Sequence, residues 1–169
     1  MLGGTRRHSA AELPGAIQAV VPPLAQEVLE GQSMQGGAPL PMPFADDLIA
    51  DLVRSGFAEE RAVRYFAFFF QLRRTFHFID HALTGECESM RQLREALWNN
   101  VFTHDMRSYE SALWNRMEDF STLLLGETGT GKGSAAAAIG RSAFIPYVPK
   151  QHRFAANCAE SFIAINLSH

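Results

Sequence analysis

The chain has 169 residues, 47% hydrophobic and 20% charged, with a formal net charge of -3. This is ordinary globular composition for one domain or a domain with an appendage, and it gives no global electrostatic reason to expect nucleic acid or an anionic membrane as partner. Cys87 and Cys158 lie far apart, no apolar stretch follows Arg6, Arg7 and His8, and the densest apolar run, Tyr65–Phe70, is far short of a membrane span, so reduced thiols in a soluble cytoplasmic protein are expected.

Residues 1–43 are punctuated by Pro14, Pro22, Pro23, Pro39, Pro41 and Pro43, with Gly31, Gly36 and Gly37 between them. They read as a flexible Pro/Gly-rich arm holding one short helix around Gly15–Leu29. From Phe44 the texture changes. Asp46 and Asp47 suit the positive end of a helix whose apolar face is Leu48, Ile49, Leu52 and Val53, with Gly56 as its stop. A longer helix begins near Glu59, carrying Tyr65, Phe68, Phe69, Leu72, Phe76, Ile79 and Leu83 at helical spacing. Phe66, Phe70 and Phe78 fall off that stripe, which predicts burial of more than one face, and Gly85 closes the element. A third helix starts near Ser89 with Met90, Leu93, Leu97 and Val101 as its stripe. A further one carries Met106, Tyr109, Leu113 and Met117 behind Asp105 as N-cap. Residues 44–118 thus read as mostly helical.

The period then switches. Ser121–Leu125 is a short apolar run ending in glycine, which suits a buried parallel strand. Ser134–Ile139 is alanine-rich and helix-forming, and Phe162–Leu167 reads as a second strand. The fold class expected for the last fifty residues is therefore α/β, in the order strand, glycine-rich loop, helix, loop, strand.

The loop is Gly126-Glu127-Thr128-Gly129-Thr130-Gly131-Lys132, which matches the phosphate-binding pattern G-x-x-x-x-G-K between a strand-like run and a helix. Glycines let the backbone curl so that successive N–H groups point at phosphate oxygens. The next helix adds its positive end, and Lys132 adds a full charge for the β- and γ-phosphates of ATP. Residues Gly126 through Lys132, with Gly133 and Ser134, form the candidate cofactor-binding set. The usual motif has Ser or Thr after the lysine to help hold Mg²⁺; here Gly133 stands there and Ser134 comes one residue late.

At these residues the chain resembles bacterial enhancer-binding proteins, the AAA+ activators of sigma-54 RNA polymerase, whose loop reads G-E-[ST]-G-T-G-K-E and also lacks Ser or Thr after the lysine. Gly133 departs from that family's glutamate. Gly85-Glu86-Cys87-Glu88-Ser89-Met90 has the spacing of the family's opening G-x-S-x-x-M, with Cys87 in the serine place. Phe162-Ile163-Ala164-Ile165-Asn166-Leu167 is similar to the second-strand pattern F-[IV]-x-[IVL]-N-C. Trp98–Asp119 holds extra length between the opening motif and the loop.

The resemblance implies an incomplete AAA+ domain over residues 85–169 that ends after its second strand, with the helical segment 44–84 in the place of the family's N-terminal regulatory module or linker. The parts that would contact sigma-54 RNA polymerase and DNA, the Walker B acids, the sensors and the arginine finger are expected to be missing. Asn166 would be the switch residue that pairs with the Walker B glutamate. Hydrolysis needs a carboxylate for the metal and a group to orient water, so ATP binding without turnover is expected of this chain. The intact parent would regulate transcription as a ring oligomer. In the family's sheet the first and second strands are not neighbours, so two such strands alone would keep unpaired edges. Two other classes stay open: another P-loop protein such as a small kinase, and a non-enzymatic helical interaction module with a vestigial P-loop.

Two further groupings have bland readings. His77 and His81 sit four apart on a helix with Asp80 between them, a zinc-compatible spacing that is more often a solvated face. Arg61, Arg64, Arg73 and Arg74 could form a basic patch, but they suit the exposed side of an amphipathic helix better.

Overall fold

The computed structural model describes residues 37–81, 83–103, 108–114, 116 and 121–165, without the side chains of His81 and Glu110. The short helix expected around Gly15–Leu29, the N-cap Asp105, Met117 and Asn166 lie outside the described residues.

Helix α1 (Ala45–Arg54) begins with Asp46 and Asp47 in its first turn, where their charge complements the helix dipole. It ends at Ser55, and Gly56 follows at φ +97°, a left-handed value that favours glycine. Helix α2 (Glu59–Phe76) is the centre of the molecule. Ala62, Phe66, Phe70 and Arg74, spaced four apart, are all buried, and so are Ala67, Gln71 and Thr75 on the adjacent row. The stripe expected from sequence lies partly at the margin: Tyr65, Phe68, Phe69 and Phe76 are half-buried, whereas the off-stripe Phe66, Phe70 and Phe78 are buried. A helix packed on several sides has no single apolar face, so its most deeply buried row need not follow the longest apolar stripe.

A π-helical turn (His77–His81) continues α2. Arg94 on helix α3 (Glu88–Phe102) donates to the carbonyls of Leu83 and Gly85 at 2.6 and 2.7 Å and pins the connection. Leu97, Val101 and Phe102 bury the inner face of α3. A second π-helical turn (Tyr109–Leu113) presents Tyr109, 1% exposed, to α2. Helix α4 (Lys132–Arg141) buries Ala135 and Ala138, small residues that permit close approach. A two-residue hairpin completes the order. Strands β1 (Tyr147–Val148) and β2 (Arg153–Phe154) pair antiparallel, Tyr147 opposite Phe154, across a 3₁₀ turn at Pro149–Gln151.

Rings join these elements. Phe70 stacks on Phe154 at 4.5 Å, Phe66 meets Tyr147 edge-on at 4.8 Å, and Phe68 lies 5.8 Å from Tyr109. Such pairs contribute about 0.5–1.5 kcal/mol each beyond burial. Polar groups lock the same interface. The buried Gln71 amide faces the Tyr109 hydroxyl at 2.7 and 3.0 Å and also donates to Ser142 O at 2.9 Å. Arg74 is 1% exposed and donates to the carbonyl of Ala143. The expectation of an exposed arginine face therefore fails at Arg74, which continues the buried row of Phe66 and Phe70. Burial lowers its pKa to about 10, countered in part by Cys158 and Tyr109, so it is charged at neutral pH.

Two boundaries differ from the sequence expectation. The core runs across position 84/85, because α2 packs on α4 and on the hairpin. The arm expected to extend to Pro43 is anchored from Gly37 onward. Asn157 donates to Gly37 O at 3.0 Å, Met42 N–H donates to His152 O at 2.8 Å, and Met42 is 1% exposed.

The expected strands also differ. Ser121–Leu125 and residues 162–165 have irregular backbone rather than strand pairing, and among the described residues the only sheet is the hairpin. Leu124 is half-buried against the core while Leu123 and Leu125 are 81% and 83% exposed. Phe162 is half-buried, but Ile163 and Ile165 are 79% and 75% exposed. A strand needs a partner ladder for its backbone groups. None of the described residues supplies one here, so an apolar run expected to be buried on both sides keeps only one inward residue in each segment.

Candidate phosphate-binding loop

The glycine-rich segment joins the irregular run 121–125 to the first turn of α4. Gly129 and Gly131 have φ of +84° and +85°. Side chains rarely adopt that region, so the loop's curl depends on glycine at these two places. Gly131 is the N-cap of α4 and has no side chain with which to cap it. The first intrahelical bond runs from Ala135 N–H to Gly131 O at 3.0 Å. The N–H groups of Lys132, Gly133 and Ser134 precede it, and no acidic residue occupies the first turn. The positive end of α4 is thus not compensated by a carboxylate of its own turn.

Lys132 folds back over the loop. Its Nζ donates to the carbonyls of Gly126 at 2.9 Å and Glu127 at 2.6 Å. Thr130 donates to the same Glu127 oxygen through its hydroxyl at 2.8 Å and its N–H at 3.4 Å. The Glu127 carbonyl is therefore the hub that holds the loop closed. Lys132 is half-buried, whereas Gly126, Glu127, Thr128, Gly129, Thr130, Gly131, Gly133 and Ser134 are exposed. A hydrogen-bonded ammonium, a helix N-terminus without a carboxylate in its own turn and backbone that favours glycine lie together in one exposed loop.

These features fit a phosphate group. Magnesium is served less directly: Gly133 offers no hydroxyl after the lysine, and Ser134 is exposed one residue later in the first turn of α4. A side chain at Gly133 would meet open space, so close packing does not require glycine there. Among the described residues, no group of three or more His, Cys, Asp or Glu side chains is placed to hold a metal ion. Between the zinc-compatible pair His77 and His81, Asp80 lies 3.9 Å from Arg94 in an ion pair.

The opening motif Gly85–Met90 forms the entry to α3. Gly85 has φ +117°, and a Cβ there would lie 3.1 Å from Met90 Cγ. Cys87 is its exposed N-cap, and hydrogen bonding, first from Ser89, lowers the pKa of its thiol. Cys158 is buried. The second-strand motif touches α4 through Phe162, which covers the bare backbone of Gly140. Among the described residues no helix is long and apolar enough to cross a membrane. The chain matches no family profile, no curated protein and no solved structure.

Sequence reasoning missed the tie between the two halves. Gln71 and Arg74 reach Ser142 and Ala143, the residues that directly follow α4. Their signal was spacing: each lies four residues after a buried position, Ala67 and Phe70 respectively.

Proposed function

We propose that this chain binds the phosphates of a nucleotide, ATP in the first instance, in the loop Gly126–Ser134. The observation that carries the reading is the Lys132 ammonium at a loop turned by Gly129 and Gly131, directly before the N-terminus of α4. Incoming phosphate oxygens would draw Lys132 from the loop carbonyls and accept from the backbone N–H groups that open α4. The activity proposed is binding. Glu127 is the one carboxylate between Gly126 and Ser134, and turnover would need groups to hold Mg²⁺ and orient water beyond those the loop supplies.

The ordered motifs Gly85–Met90, Gly126–Lys132 and Phe162–Leu167 support the further proposal that this is part of a sigma-54-type AAA+ regulator of transcription. The exposed Leu123, Leu125, Ile163 and Ile165 are the kind of apolar surface that further strands of such a sheet would cover.

Titration of the chain with a fluorescent ATP analogue, with and without Mg²⁺, tests the binding site. Saturable binding that unlabelled ATP displaces is expected, and Lys132→Ala is expected to weaken it by about tenfold or more, the loss of a charge-assisted contact. Equal affinity in wild type and Lys132→Ala would reject the loop as the binding site.

A further inference from the structure

A cleft lies beyond the opposite end of α4 from the phosphate loop. It measures about 660 Å³ and is bounded by the turn between α1 and α2, the first turns of α2, Trp114 and the segment Phe144–Tyr147. Its volume falls within the ~300–1,000 Å³ typical of small-molecule sites. Four of its lining residues are aromatic. Phe57, Trp114, Phe144 and Tyr147 line it, and Trp114 and Phe144 hold each other edge-to-face at 4.8 Å. Phe57 is fixed in turn by an edge contact with Tyr65 at 5.2 Å.

Two guanidinium groups line the same space. Arg61 and Arg64 lie three residues apart on α2 and therefore share a face. Arg64 sits over the Trp114 ring at 5.6 Å, a cation–π contact that holds a charged group against an aromatic wall. Arg61 is exposed at the rim, and among the described residues that line the cleft two are basic and one, Glu60, is acidic. Guanidinium groups match carboxylates through paired hydrogen bonds, while ring-lined walls favour a flat apolar body.

We infer that this cleft is a binding site for a planar aromatic carboxylate of two or three rings, its ring system held among Phe57, Trp114 and Phe144 and its carboxylate held by Arg61 and Arg64. The site is separate from the phosphate loop. The ten residues of α4 span roughly 15 Å at 1.5 Å per residue; the loop precedes the helix and Phe144 follows it.

Isothermal titration calorimetry of the full chain with 2-naphthoate tests the site, with neutral 2-naphthamide as control. One saturable site for the carboxylate is expected, with about tenfold weaker binding of the amide and a similar loss on Arg61→Gln, as expected for a charge-assisted contact. Arg61 is exposed, so its replacement leaves the core intact, and an unchanged circular dichroism melt verifies this. Lys132→Ala is expected to leave naphthoate affinity unchanged, which separates this site from the nucleotide reading. The inference is overturned if naphthoate shows no saturable binding, if amide and acid bind equally, if Arg61→Gln binds as wild type does, or if Lys132→Ala abolishes binding.

Discussion

The rings on α2 and the aliphatic residues beside the phosphate loop are comparably apolar, yet Phe70 is 1% exposed and Leu125 is 83% exposed. The difference lies in what each backbone needs. Helix α2 satisfies its own peptide groups, so its side chains need only a lateral surface, which α1, α4 and the hairpin supply. An extended segment needs partners in two directions, a ladder at its edges and a layer over its face. Segments 121–125 and 162–165 receive part of a layer, through Leu124 and Phe162, and no ladder among the described residues. Apolar composition therefore does not by itself decide burial.

That contrast can be broken or sharpened by experiment. The largest effect is expected at the ring lattice. Phe70→Ala removes the stack on Phe154 and opens a cavity, costing about 3–5 kcal/mol by urea unfolding. A cost near zero would mean that the lattice is not the stabilising centre.

Next come the buried phenols. Burial raises the pKa of Tyr109 and of Tyr147 from 10.0 to about 12, with the Asp46 carboxylate adding to the rise at Tyr147. The stability contributed by these neutral phenols is fully present below pH 10 and is lost as the pH rises through about 12. Arg74, lowered to about 10, runs in the opposite sense over an overlapping window, so a melting curve mixes the two effects. Tyrosinate absorbance separates them: two phenols are expected to ionise near pH 12 in the folded chain and near 10 in denaturant.

A smaller effect is expected where segment 162–165 touches the helix. A Cβ at Gly140 would lie 2.7 Å from Phe162 Cδ2 and 3.2 Å from Phe162 Cβ. Gly140→Ala is expected to cost about 1–2 kcal/mol despite alanine's better helix propensity. Adding Phe162→Ala removes the ring and leaves only the Cβ contact, and is expected to reduce that cost; equal losses in both backgrounds would show that the ring is not its source. The smallest effect is expected at the exposed aliphatics. Leu125→Ser is expected to change stability by less than about 0.5 kcal/mol, and a larger loss by urea unfolding would show that the segment is covered in solution.

Local features of the sequence were read well where they act locally. The start of α1 at Asp46 and Asp47, the start of α2 near Glu59, the span of α3 and the glycine loop before α4 all follow from caps, periodicity and turn chemistry. Arg74 was misread because charge suggested solvent, while its place four residues after Phe70 puts it in the buried row. The hairpin was not anticipated because two-residue strands are too short to show alternation, although Tyr147-Val148 and Arg153-Phe154 flank a proline turn. The strand expectations at Ser121–Leu125 and Phe162–Leu167 rested on apolar runs, and pairing is a property of distant neighbours that no short run encodes. At the loop, residue identities alone suggested a phosphate cradle. They could not reveal that Lys132 is already engaged with Gly126 and Glu127.

That engagement makes the lysine an internal plug. Before any ligand arrives, its ammonium neutralises the inward carbonyl dipoles and braces the curl of the backbone. At the proposed site, a phosphate that captured it would release the Gly126 carbonyl, while the Glu127 carbonyl would keep its donors from Thr130. The affinity of the proposed site would then be the difference between two sets of hydrogen bonds rather than the strength of either.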